Sequence, residues 1–250
     1  TLDAYLQVLF QRDYDGSLYF TPTYLIIAIR SLLLAGATAA LCAVLGLPMA
    51  WFIVTRPRRW RNRLLFIVTL PFWVNSLIRT YCWVLLLRDQ GLINAGLIRA
   101  GVIEAPLGLM YNNGAILVGL VYNFLPFMVL PIYSVLERLD PRIVEAGHDL
   151  YASRWHVARR IVLPLAMPGV AAGTLLVLAP AIGFYIIPDL LGGGQHMMIG
   201  NLIQNEFTAG RNWPFGAALS TLITAAVLAC MMVAVGRRRR GVAPLAEAAA

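Results

Sequence analysis

Residues 145–164 read EAGHDLYASRWHVARRIVLP, and they interrupt a chain that is otherwise apolar enough to live in lipid. Within this short stretch stand Glu145, Asp149, Arg154, Arg159 and Arg160, together with His148 and His156. The insert carries its own helix signals. Just upstream, Asp140 is a good N-cap, and Pro141 at the first helical position loses nothing, because its missing N–H would be unpaired anyway. Ile143, Val144 and Leu150 then set an apolar stripe at helical spacing. Ser153 can cap a second short helix, RWHVARRI, whose Arg159 and Arg160 fall near the negative end of the helix dipole. Pro164 opens the next apolar run. The expected product is two short helices at an angle, a rigid polar knob at the membrane surface shaped for a groove in a soluble partner.

The surroundings of the insert fix the fold class. Of 250 residues, 60% are hydrophobic and only 13% charged, and mean hydropathy is +0.73. A water-soluble fold needs a denser charged shell than that. The apolar residues also come in runs, at residues 24–54, 64–87, 114–136, 164–187 and 214–235. Crossing about 30 Å of hydrocarbon at 1.5 Å per residue takes roughly 20 helical residues, which each run supplies. An all-α, polytopic transmembrane helical bundle with five spans is the expectation.

All twenty basic residues are arginine. Arg56, Arg58, Arg59, Arg61 and Arg63 follow the first span, Arg138, Arg142, Arg154, Arg159 and Arg160 follow the third, and Arg237 to Arg240 follow the fifth. The opposite loops hold only Arg12, Arg88, Arg99 and Arg211. By the positive-inside rule the arginine-rich side is cytoplasmic. The net charge of +8 is therefore topology, and no nucleic-acid partner is expected. The expected order along the chain is a periplasmic amphipathic segment at 1–23 and a membrane domain at 24–236. That domain holds short cytoplasmic helices at about 138–163 and outer loops at about 88–113 and 188–213. A cytoplasmic tail at 237–250 follows, helical in no expected part after the arginine run. In the first segment, TLDAYLQVLF places Leu2, Tyr5, Leu6 and Leu9 on one face of a short helix. Five spans with a cytoplasmic C-terminus put the N-terminus outside, and a chain opening on Thr1 without a charged n-region implies a further span upstream.

Several chemistries are excluded by residue type. A phosphate-binding P-loop needs a lysine, and the chain has none, so if transport here is driven by ATP, another subunit must hydrolyse it. GGGQH at residues 192–196 follows Pro188 and reads as a turn. No H-E-x-x-H is present, and Cys42, Cys82 and Cys230 fall in three different spans without metal spacing, so they read as packing. His148 and His156 lack a third ligand and read as polar residues facing a partner or solvent. No catalytic residue, metal site or cofactor is expected in this chain.

Prolines punctuate the membrane runs: Pro71 with Asn75 and Ser76 in the second, Pro126 and Pro131 in the third, Pro168 and Pro180 in the fourth, which stops at Pro188. Breaks at these points would suit a moving bundle around a path.

The insert also resembles the cytoplasmic signature of type I ABC importer permeases, which runs E-A-A, three residues, G, nine residues, then I-x-L-P. Glu145, Ala146, Ile161, Leu163 and Pro164 match at the right spacing, while Gly147 stands for the second alanine and Tyr151 for the glycine. That glycine's role would be a left-handed backbone at the turn, which costs a bulky residue about a kcal/mol or more. LPFWVNSLIRTYCW (70–83), GLVYNFLPFMVLPIYSVLERLDP (119–141), LPLAMPGVAAGTLLVLAPAIGFYIIPDLLGG (163–193) and RNWPFGAA (211–218) further resemble permeases of spermidine/putrescine importers. The resemblance implies the type I permease fold, usually with six spans, a second permease subunit forming a heterodimer, two copies of an ABC ATPase holding ATP and Mg, and a periplasmic binding protein. It also implies that the ATPase docks on Glu145, Ala146, Gly147, His148, Asp149, Tyr151, Ala152, Ser153, Trp155 and Arg159. The same architecture importing iron, thiamine or an opine-like compound is the alternative. A proton- or sodium-coupled carrier would need ionisable groups deep in the membrane, where Arg30 and Arg79 are nearly alone.

A polyamine path needs acceptors and aromatic faces, each cation–π contact being worth about 0.5–2 kcal/mol. Phe184, Tyr185 and Asp189 offer these near the outer end of the fourth run, with Tyr122 and Asn123 deeper on the third and Asn75 in the second. Arg30 and Arg79, placed by position in the outer third of their spans, would repel such a solute. They would pair with Asp89, Glu104 or Asp189, or snorkel to the headgroups of the membrane lipid.

Overall fold

The computed structural model describes residues 10–12, 18–20, 22–194 and 196–247. Two short strands, β1 (Phe10–Arg12) and β2 (Leu18–Phe20), pair antiparallel. The amphipathic helix expected over residues 1–10 lies outside the described residues except for Phe10, which is in β1. The remaining regular elements among the described residues are helices: α1 (Thr23–Val54), α2 (Arg58–Thr69), α3 (Ser76–Leu87), α4 (Leu92–Arg99), α5 (Asn113–Leu136), α6 (Pro141–Asp149), α7 (Arg154–Val157), α8 (Leu163–Gly183), α9 (Ile186–Gly192), α10 (Ile199–Thr208) and α11 (Trp213–Glu247).

The chain divides into two compact units, Ile29–Asn201 and the remainder, Thr1–Ala28 with Leu202–Ala250. In the larger, α5 is the axis. Along it run Ile116, Leu120, Met128, Val129, Ile132 and Leu136, all fully buried. Helix α8 lies against α5 closely enough that glycine is needed at the crossing. A Cβ on Gly169 would stand 2.8 Å from the Ile132 Cα, and one on Gly173 would stand 2.6 Å from the Met128 Sδ. Small residues at such crossings are how membrane helices gain packing where lipid offers no hydrophobic drive. Helix α9 packs on both α3 and α5, with Ile187 and Leu191 over Gly119. In the smaller unit, Leu202, Phe215 and Leu219 form a buried cluster, and Tyr24 tilts against Phe215 at 5.1 Å between ring centres.

Among the described residues, three helices are long and apolar enough to cross a membrane: α1, α5 and the continuous run Arg154–Gly183. Their outward faces carry bare Leu32, Leu33, Val44 and Leu176, a surface suited to lipid and not to water. The second predicted span is different. Arg58–Trp73 and Ser76–Arg99 meet at 91°. Pro71 sits in a 3₁₀ turn (Leu70–Trp73), and the Asn75 side chain accepts from the Leu77 N–H at 2.8 Å, so α3 is capped as a fresh helix. The second run is thus broken at Pro71, as its proline and the polar pair after it suggest. The other prolines do the opposite of what was expected: Pro126 and Pro131 lie inside unbroken α5, and Pro168 and Pro180 inside unbroken α8. The fourth span ends at Gly183, not at Pro188. Phe184 is extended, and Pro188 sits in the first turn of α9, where no amide is required. The fifth predicted span falls in α11, whose apolar stretch is Trp213–Ala229. This helix runs on to Glu247 instead of ending before a non-helical tail; arginine, alanine, leucine and glutamate all favour helix.

Candidate functional site

The polar insert folds as its caps dictate. The Arg142 N–H donates to Asp140 Oδ1 at 3.0 Å, starting α6, and the His156 N–H donates to Ser153 Oγ at 3.3 Å, starting α7. Helix α7 does not stop at a proline as a separate rod. A π turn (Ala158–Val162) carries it straight into α8 and absorbs Pro164, so knob and membrane helix are one continuous lever. Gly147 is buried at the meeting of the two short helices, where an added Cβ would lie 2.9 Å from Ile161 Cδ1. Val157 and Val162 are buried beneath them, joining the knob to the core around Leu136.

The end of α6 explains the unusual tyrosine. The Ala152 N–H donates back to the Gly147 carbonyl at 3.1 Å, and Tyr151 between them has φ +57°. This is the C-terminal cap in which a left-handed residue, usually glycine, closes the last turn. The turn that the signature's glycine would make is therefore kept, and a tyrosine is forced into it. Its side chain is 99% exposed, beside Leu150 at 82% and Trp155 at 73%. Glu145, Ala146, Asp149, Ser153 and Arg159 are also exposed, and Ala152 is half-buried. Apolar and aromatic groups thus lie bare here among charged side chains.

The six candidate path residues divide. Tyr185, Asp189 and Tyr122 reach open surface. Phe184 is packed edge-on against Phe124 at 5.5 Å, and Asn123 is buried in α5. Asn75 is spent on the cap of α3. The structure adds a neighbour that sequence reasoning missed: Trp83 meets Tyr122 edge-on at 5.6 Å, joining α3 to α5 with an aromatic pair. A tryptophan at the far end of a broken span gave no local signal of that partner.

The two membrane arginines separate as well. Among the described residues, Arg30 pairs with an amide and an imidazole and not with a carboxylate. Its Nη2 donates to Asn113 Oδ1 at 2.5 Å and to His196 Nδ1 at 2.6 Å, tying α1, α5 and the loop after α9. The Ile199 N–H donating to Ser31 Oγ at 2.8 Å reinforces the same corner. Arg79 lies beside the middle of α5. Its guanidinium carbon stands 6.0 Å from the centre of Phe72, which in turn packs on Phe127 near the middle of α5. The Tyr122 phenol lies within electrostatic reach of it. On the arginine-rich loop, Arg56 stacks over Phe52 and Arg63 over Trp60, the packing of cations at a membrane boundary. On the opposite side, Asn94 is fully buried and staples the 88–107 loop: Nδ2 donates to the Leu107 carbonyl and Oδ1 accepts the Leu107 N–H, each at 3.0 Å. Among the described residues no cluster of His, Cys, Asp or Glu could hold a metal.

A bundle of membrane helices with one span ending in an exposed knob is a multi-pass membrane protein, and its similarity to known proteins gives its class, an inner-membrane transport permease subunit. The chain belongs to the family described as the binding-protein-dependent transport system inner membrane component, whose model matches residues 43–241. It is 42% identical over 240 residues to the spermidine/putrescine transport system permease protein PotB of Escherichia coli K12, covering 96% of this chain and 83% of that protein. With the PotB protein of Haemophilus influenzae it shares 44% identity over 205 residues, 82% of this chain and 72% of that one. Among solved structures, a bacterial ABC transporter that imports the acidic polysaccharide alginate matches with a TM-score of 0.70. The identity there is 18%, over 96% of this chain and 88% of that one, a likeness of fold.

Proposed function

We propose that the chain is one of two permease subunits of an ATP-driven importer of polyamines, with its knob and C-terminus in the cytoplasm. The observation that carries the reading is the continuous lever from the exposed knob of Leu150, Tyr151 and Trp155 through the π turn into α8. A motor gripping the knob would move α8 directly, and α8 lies along the central helix α5. The polyamine assignment is supported by the relatives named for spermidine and putrescine transport. A paired permease is supported by the 33% identity, over 127 residues, to the PotC permease protein of Escherichia coli K12. A periplasmic binding protein is supported by a solved alginate transporter in complex with a pentasaccharide-bound periplasmic protein, TM-score 0.63. The ATPase would come as two copies holding ATP and Mg, since this chain offers no lysine to a phosphate.

In this reading the solute passes Tyr185 and Asp189 at the outer end and the Tyr122–Trp83 pair further in. A carboxylate and π faces are the groups that replace water around an ammonium ion at least cost. A second reading, import of an anionic solute by the same machine, draws on one observation: the Nε and Nη1 of Arg79 are buried and unpartnered beside Tyr122. Uptake by vesicles holding the complete importer, offered labelled spermidine, putrescine and anionic competitors, decides between them. Polyamine uptake that depends on ATP and disappears when residues 140–161 are deleted, with the chain still inserted, is the expected result. Uptake of the anionic competitor alone, or an ATPase that stays bound to the deleted chain, overturns it.

A further inference from the structure

Arg79 is a cation near the middle of the hydrocarbon with no counter-charge in its own helices. Its Nε and Nη1 are buried without a hydrogen-bond partner, and so is Ser76 Oγ, one turn earlier on the same face of α3. Buried polar atoms are nearly always satisfied, so three orphans on one turn mark a missing partner. The depth follows from the neighbours: Phe72 beneath the guanidinium packs at 4.8 Å on Phe127, about one turn from the midpoint of α5. A guanidinium does not lose its proton there, and an intramembrane charge is held against another charge or a wet cavity. No aspartate or glutamate occurs anywhere in α1, α2, α3, α5 or α8.

The acceptor must therefore come from outside these helices. Lipid phosphates lie about 15 Å away, half the thickness of the hydrocarbon. The solute, on the reading above, is a polycation and would be repelled. Among the described residues, no carboxylate of this chain acts on Arg79, whose electrostatic neighbour is the Tyr122 phenol, which leaves the second permease. We propose that Arg79 is the cationic half of an intramembrane ion pair whose carboxylate belongs to the second permease subunit, with the Ser76 hydroxyl donating to the same carboxylate. This rests on the two-permease polyamine reading. The broken second span makes the pair possible, because the 3₁₀ turn at Pro71 starts α3 at mid-depth and delivers its first turn there. The pair also sets partner choice. Two copies of this chain would bring two unpaired cations together with no carboxylate at that depth, so pairing with a different chain is favoured.

The test is recovery of the second permease on a tag carried by this chain, from membranes containing the complete importer. R79E is expected to lower recovery at least tenfold, R79K to keep it within about threefold, and one membrane-embedded Asp→Arg or Glu→Arg change in the second permease to restore it in the R79E background. Each variant chain is also purified alone, where R79L is expected to unfold at the same temperature as the parent or higher. The proposal is overturned if R79E recovers the second permease normally, or if no carboxylate swap in that subunit restores it. It is equally overturned if D189R in the same chain restores recovery instead, if R79L alone is less stable than the parent, or if R79Q leaves recovery unchanged while abolishing uptake of an anionic solute. Absence of a second permease on the unaltered chain would instead sink the importer reading, which keeps the two failures apart.

Discussion

Arg30 and His196 stand 166 residues apart in the chain and 2.6 Å apart in space. Arginine has no acceptor, so the guanidinium is the donor and Nδ1 of the imidazole receives it, leaving the ring proton on Nε2. The same nitrogen of Arg30 holds Asn113 at the start of α5. One side chain thus pins the outer ends of α1 and α5 to the glycine-rich turn before α10. R30L should lower stability by about 1.5–3 kcal/mol, the range for a hydrogen bond to a charged group, and H196A by about half as much. Thermal unfolding in detergent checks the order. Faster amide exchange confined to residues 190–200 in H196A would locate the effect.

Tyr151 supplies a second test. A left-handed residue with a Cβ costs roughly 1–2 kcal/mol, and glycine takes the same conformation freely. Y151G should therefore stabilise the knob by about 1 kcal/mol, read as a higher unfolding temperature. Strain kept at an exposed position points to contact with a partner. The same substitution is expected to weaken retention of the ATPase several-fold on pull-down. A gain in stability with unchanged retention would remove Tyr151 from the docking surface while leaving the knob intact.

How far the fold could be read ahead depends on whether each signal is local. Hydropathy placed α1, α5 and α8 well, because length and apolarity are properties of a single segment. Asp140 and Ser153 were legible as caps for the same reason: the bonds they make span two or three residues. The prolines misled. A missing N–H at Pro126 or Pro168 says that one hydrogen bond is absent, but whether the helix runs on depends on packing around it. At Pro71 the chain turns by 91° because Asn75 caps a new helix four residues later. The Arg30–His196 contact, and the depth of Arg79 against Phe72, arise from distant segments and leave no local trace.

The crossing of α5 and α8 should tolerate no extra methyl. A Cβ on Gly169 would sit 2.9 Å from the Pro131 carbonyl oxygen and 2.8 Å from the Ile132 Cα, backbone atoms that cannot rotate away. G169A is expected to cost about 1–3 kcal/mol, as overpacking does. Gly36, inside α1 with nothing within 4 Å of its Cβ position, is the matched control. There G36A should be neutral or gain up to about 1 kcal/mol in helix propensity. Unfolding midpoints of the two variants, measured side by side, should move in opposite directions or leave only G169A displaced. If α8 is also the lever of transport, G169A should slow ATP-driven uptake more than it weakens solute binding.

Asp189 separates a structural role from a transport role. It lies in the first turn of α9, exposed, where a carboxylate facing the positive end of a helix is worth about 0.3–1 kcal/mol. If that were its whole purpose, D189N would shift the unfolding temperature slightly and leave uptake alone, because only the attraction to the helix dipole is lost. A carboxylate that meets an ammonium group on the path loses more. Its charge is gone while its shape remains, so solute binding suffers and the fold does not. About 1.4 kcal/mol of lost attraction corresponds to a tenfold change in affinity. D189N is therefore expected to raise the half-saturating spermidine concentration roughly tenfold with the maximal rate nearly intact, while D189E keeps both near the parent. Uptake by vesicles carrying the complete importer reads the two parameters separately. Equal uptake by D189N and the parent would leave Asp189 only its favourable place in the first turn of α9 and leave Tyr185 and the Tyr122–Trp83 pair to line the path.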